Sequence, residues 1–164
     1  MAPMELLWLQ WLHLLAACTW VGGLLFLALV AGPVLRHRFS AEERAEFLGQ
    51  FGRKFQPYAW AALLLLSLTG FRRGMLMFGG VPEFFTGLST TPYGRILGAK
   101  LMLVGVLVVL QLIHDFLLGP SLARMRRERS PGLSRARAAN IGLALGTVVL
   151  SLLVLALAAR LRLV

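Results

Sequence analysis

Four long apolar runs decide what this chain can become. They cover about residues 12–35, 58–71, 96–118 and 138–159, and basic residues stand beside each of them. A helix needs roughly 20 apolar residues to cross the hydrocarbon core of a bilayer. Backbone in lipid finds no water, so its N–H and C=O groups must bond within the helix. The runs therefore predict an all-α integral membrane four-helix bundle, with residues 1–164 forming a single transmembrane domain. Of the 164 residues, 58% are hydrophobic, which is more apolar surface than a soluble core of this size can hide. No Lys or Arg precedes the first run and no small-residue cleavage site ends it, so it reads as a retained span and not as a signal peptide.

The formal net charge of +10 does not point to nucleic acid. No soluble fold is left to dock a groove, and basic residues beside spans normally mark the cytoplasmic side. Arg36, Arg38, Arg44, Arg53 and Lys54 follow the first span. Arg124, Arg126, Arg127, Arg129, Arg135 and Arg137 follow the third. Those eleven outweigh the five at the other ends of the spans, Arg72, Arg73, Arg95, Arg160 and Arg162. The bias predicts a multi-pass protein of the cytoplasmic membrane with both termini outside.

Between the first two spans, Ser40-Ala41-Glu42-Glu43 has the pattern of a capping box. The helix it opens carries Phe47, Phe51 and Phe55 at spacing four. It reads as an interfacial helix over 41–54, with Pro57 kinking or breaking its join to the second span. Arg72-Arg73 reads as the stop of that span. The Gly- and Pro-punctuated stretch 74–91 reads as an apolar loop, and Gly119-Pro120 as the close of the third span. Gly142 and Gly146 form a GxxxG that lets another helix come close.

An ionisable group inside a span costs about 2.5–3.5 kcal/mol on insertion scales, so each one calls for a reason. His13, Lys100, His114 and Asp115 are such groups. His13 shares a helical face with Trp20, nearly two turns on, and Gly22 and Gly23 leave room beside it for a helix or a flat ligand. Lys100 lies at a similar depth in the third span, where the alternative role is a side chain snorkelling to the outer interface.

Lys100, Val104, Leu107, Gln111 and His114 make one stripe, flanked by Asp115. Lipid would leave these polar groups without partners, so the stripe should face the bundle interior, toward the first two spans, with Met102 and Val109 turned away. His114 lies about 20 Å below Lys100 at roughly 1.5 Å per residue. Gln111, His114 and Asp115, with Asn140 and His37 at the same inner level, therefore form a second polar site or a structural clamp. Thioether sulfur suits Cu(I), and Met75-Leu76-Met77 lies toward the outer side near His13. These Met residues are equally at home as apolar filler. Cys18 is about 140° from His13 on the helical wheel at roughly 100° per residue, a poor co-ligand geometry. The sequence contains no Walker loop, dinucleotide fingerprint, Cys/His zinc pattern or Ser-His-Asp set.

Three elements resemble the copper-resistance D (CopD) domain. They are His13-Leu-Leu-Ala-Ala-Cys-Thr-Trp20-Val-Gly22-Gly23-Leu24, the Thr69-Gly70 pair, and Pro92-Tyr93-Gly94-Arg95-Ile-Leu-Gly-Ala-Lys100. The first is also similar to the HemJ-type protoporphyrinogen oxidase, although that family has a His just before its third-span Lys, where this chain has Gly98-Ala99. The CopD resemblance implies copper binding or transfer at the outer face, with Cu(I) held by His13, Met75 and Met77 and exchanged with a periplasmic or extracellular copper carrier. The HemJ resemblance implies a haem b redox protein, with His13 as axial ligand, Trp20 and Gly23 along the macrocycle, and Lys100 on a propionate or the iron. A third possibility is an assembly scaffold without a cofactor.

Overall fold

The structure is a computed structural model that describes residues 2–161. Arg162, counted above among the outer basic residues, lies outside them. All regular structure among the described residues is helical. Four helical stretches are long and apolar enough to cross a membrane: Met4–Arg38, Ala41–Phe78, Pro92–Arg127 and Leu133–Arg160. The four-span expectation holds, and many large apolar side chains stand exposed, as a lipid-facing surface requires. The chain divides into two compact units, Met1–Gly87 and Leu88–Val164, where the sequence reads as one domain.

The first unit is a helical hairpin. Helix α1 (Ala2–Leu25) passes into a π turn (Phe26–Ala31) and then into α2 (Gly32–Arg38). Ser40 begins α3 (Ala41–Phe78) with the expected capping box. The Glu43 N–H donates to Ser40 Oγ at 3.3 Å, and the Ser40 N–H donates to Glu43 Oε2 at 2.9 Å. The Ser40 hydroxyl also donates to Glu43 Oε2, and this bond, with that from the backbone N–H, holds the exposed carboxyl below its ordinary range.

The helix α3 runs farther than expected. Pro57 sits inside it without breaking it, so 41–54 leads straight into the second span as the first part of α3. Proline removes one N–H and crowds the carbonyl four residues earlier, but membrane helices tolerate this where nearby groups satisfy the freed carbonyl. Arg72-Arg73 does not stop the helix either, since arginine is a good helix former. Gly79 ends it, at a φ of 95° that favours glycine.

The stretch 74–91, predicted as a loop, is thus mostly helical. It contains the last turn of α3, the Gly79-Gly80 turn and α4 (Val81–Thr90). Phe84 of α4 is buried, with its ring edge-on to those of Phe71 and Phe78.

The α1–α3 seam is made by Ala16, Trp20, Ala59, Ala62 and Leu63. Three alanines let the backbones approach, and Trp20, 2% exposed, fills the gap. Lipid tails are as apolar as leucine, so close van der Waals packing holds such a seam rather than water exclusion. Farther along, the Phe55 ring lies directly over Gly23.

The second unit repeats this design. Thr91 caps α5 (Pro92–Leu112) by accepting from the Gly94 N–H at 2.9 Å. A π turn (Ile113–Leu118) leads into α6 (Gly119–Arg127), and α7 (Leu133–Arg160) packs back on α5. Gly119-Pro120 therefore does not close the span. Proline cannot sit in a regular α-turn without meeting the carbonyl four residues earlier. The chain widens instead, and the Gly119 N–H reaches His114 O, five residues back. Gly32-Pro33 produces the same device in the first unit, with the Gly32 N–H on Leu27 O.

On α7 the buried small residues are Thr147 and Ser151, whose hydroxyls donate to Leu143 O and Thr147 O of their own helix. Gly142 and Gly146 have open space where a side chain would go, so the GxxxG meets no helix here.

Candidate functional site

His13 stands on α1 opposite Thr69 of α3, with Nδ1 2.8 Å from Thr69 Oγ1. Thr69 is buried, and its single hydroxyl hydrogen points to Leu65 O at 2.6 Å. With that hydrogen committed, Thr69 Oγ1 can only accept from His13. Nδ1 therefore carries a proton, and in the neutral ring Nε2 holds the lone pair. A tautomer fixed through one ring nitrogen is how proteins prepare the other nitrogen as a ligand. Gly70 gives the ring its room: a methyl group there would lie 3.3 Å from His13 Cε1. Nearer the N-terminus of α1, Glu5 accepts from Arg72, the Nε contact at 2.8 Å and the terminal nitrogen at 2.7 Å.

The other residues expected around His13 are placed differently. Trp20 shares its helix face but lies within the core, and Gly23 is covered by Phe55. Met75 and Met77 lie on α3, not on a loop. Residues two apart on a helix point to nearly opposite sides, so one ion cannot take both sulfurs from this segment. Met75 is half-buried and Met77 exposed. Cys18 is exposed. Among the described residues no three His, Cys, Asp or Glu side chains gather as a metal cage.

In the second unit the α5 stripe is partly withdrawn from the surface. Leu107 is buried and Lys100, Val104, Gln111 and His114 are half-buried. Met102, 74% exposed, and Val109 turn outward. At its inner end Asp115 accepts from Gln111 Nε2 at 2.8 Å and pairs with His114 Nδ1 at 2.9 Å. The Asp115 side chain is 7% exposed and that of His114 is 35% exposed. Asn140 does not join them; its side-chain oxygen is buried without a partner.

The two Gly-Pro elbows give the units a common ruler. Trp20 and Leu107, both buried, each stand 12 residues before the elbow glycine. His13 and Lys100 each stand 19 before it. The two ionisable groups in the N-terminal halves of the first helices of the units thus hold equivalent positions in two similar hairpins. Sequence reading alone had marked the residues but not the equivalence. It had also missed Thr69 as a partner, and a hydroxyl in an apolar span facing an in-span histidine is the signal that identifies it.

Comparison with known proteins fits this architecture. A protein of Aquifex aeolicus (strain VF5), described as uncharacterized, is 31% identical over 154 residues, which covers 93% of this chain and 92% of the relative. No solved structure matches. Residues 49–161 match the family described as copper resistance protein D. The match takes in Thr69-Gly70 and the Pro92 to Lys100 element and begins after His13. On this match, which covers more than half of its length, the chain belongs to the copper resistance protein D family.

Proposed function

We propose that this multi-pass membrane protein binds copper(I) through His13 Nε2 and passes it to or from a carrier at the outer face of the cytoplasmic membrane. The observation that carries the reading is the His13–Thr69 bond. It commits Nδ1 as a donor and places the lone pair of the neutral ring on Nε2, a nitrogen that suits a soft monovalent ion. Family membership supplies the link to copper. Either Met75 or Met77, but not both, can add a thioether to the same ion. Lys100 is a poor ligand while charged, and its role here is to orient a partner or repel a second cation. The basic segments 36–54 and 124–137 face the cytoplasm in this reading, which impermeant thiol labelling of single-cysteine variants tests. Labelling of the 124–137 segment from outside contradicts it.

Anaerobic Cu(I) titration of the detergent-purified protein tests the binding itself. Stoichiometric uptake by a colourless protein, weakened in His13→Ala, is the expected result. Equal uptake by His13→Ala removes His13 from the site. A Soret band in the purified protein replaces copper with haem.

A further inference from the structure

The inner half of α5 carries a second histidine whose chemistry is set by its neighbours. Asp115 uses one oxygen for Gln111 Nε2 and the other for His114 Nδ1. An ionised carboxylate only accepts, so His114 Nδ1 bears the hydrogen and Nε2 keeps the lone pair. No group among the described residues bonds that Nε2. The π turn helps to build this arrangement. Successive side chains on a regular helix diverge by roughly 100°, which separates neighbours. In the wider turn forced by Pro120 the angle between His114 and Asp115 shrinks, and the two bond directly.

We propose that His114 is a proton-accepting site, with Nε2 as the atom that takes the proton and Asp115 as its positioning residue. The proton comes from water on the membrane side that carries the 124–137 segment. It leaves a hydronium ion and adds to the Nε2 lone pair while Nδ1–H stays bonded to Asp115, so one O–H bond breaks, one N–H bond forms and the pair passes from one negative charge to neutral. A resident metal is a poorer occupant, because among the described residues no three His, Cys, Asp or Glu side chains gather here.

The charged groups on the packed elements are cationic. They are Lys100 on α5, Arg124, Arg126 and Arg127 on α6, and Arg135, Arg137 and Arg160 on α7, with Arg95 in the first turn of α5. Glu128, just past α6, is the other acidic residue of this unit. Along α5, Val104 and buried Leu107 separate the site from Lys100, so His114 exchanges protons with one side only. On α7, Asn140 offers a buried, unpartnered oxygen that a water molecule could satisfy.

The test is ¹⁵N NMR of histidine-labelled full-length protein in lipid nanodiscs, with His114→Asn to assign the signals. At neutral pH the expected state is Nδ1 protonated and Nε2 bare. Acidification should protonate Nε2 with Nδ1 unchanged. Asp115→Asn should shift the neutral ring toward the opposite tautomer, and Asp115→Glu should largely restore it. A neutral ring with Nε2–H, a ring indifferent to pH, or a tautomer unmoved by Asp115→Asn in a protein of unchanged helicity each overturns the proposal. None of these readings depends on copper, so this proposal and the copper reading can fail separately.

Discussion

Thr69→Val is the sharpest test of the His13 geometry. Valine has the shape of threonine without the hydroxyl, so packing in the α1–α3 seam is kept while the acceptor for His13 Nδ1 is lost. Leu65 O loses a side-chain donor but keeps the backbone N–H of its helix turn. The lost bond is 2.8 Å long at a residue 3% exposed, with little room for water to replace it. A net contribution of about 0.5–1.5 kcal/mol to stability follows for the bond itself. The effect on a ligand is larger, because an unheld ring can turn and change tautomer. Loss of such an outer partner typically lowers metal affinity about 10- to 100-fold, or roughly 1.4–2.8 kcal/mol at about 1.4 kcal/mol per decade. Competition for Cu(I) against a chromophoric chelator measures this directly, and Thr69→Ser, which keeps the hydroxyl, should stay near the parent. An affinity in Thr69→Val within about twofold of the parent, far below the expected loss, would refute the argument that Thr69 prepares His13.

The packing and backbone arguments give further tests. Gly23→Ala should drive a methyl into the Phe55 ring and destabilise the first hairpin by about 1–3 kcal/mol. Gly22→Ala, with open space around it, serves as the control, and equal behaviour of the two in denaturant titration would contradict the packing. Pro120→Ala returns an N–H that can reach Phe116 O. Backbone chemical shifts over 113–118 should then become plainly α-helical, and a surviving Gly119 N–H to His114 O bond would show that proline is not the cause of the wide turn. Glu43 is held below its ordinary range by Ser40. Its contribution to the start of α3 is therefore present at neutral pH and lost only as acid carries the solution down through the lowered value. Amide exchange at Glu43 should quicken there, and in Ser40→Ala it should be quick at every pH.

The number and type of spans were legible because lipid demands long apolar helices. Their ends were not. Composition turns polar at Arg72 and Gly-Pro reads as a stop, yet α3 runs on through arginine to Phe78 and the third span absorbs Pro120 with a wider turn, whereas α7 ends at Arg160 as expected. Met75 and Met77 looked like a convergent pair only while their segment was read as a loop. Gly142 and Gly146 carry the right spacing for a close crossing but have open space beside them among the described residues. The Gln111, His114 and Asp115 grouping was visible from helical spacing alone, since all three lie within about one turn. Thr69 was not, because a threonine in an apolar span is ordinary until the direction of its hydroxyl is known.

The most direct measurement is X-ray absorption at the copper edge of the Cu(I)-loaded, purified protein, beside His13→Ala. The account predicts a low-coordinate Cu(I) site with imidazole scattering that disappears in the variant. Copper that keeps the same imidazole signature in His13→Ala, or a protein that takes up no copper at all, contradicts it.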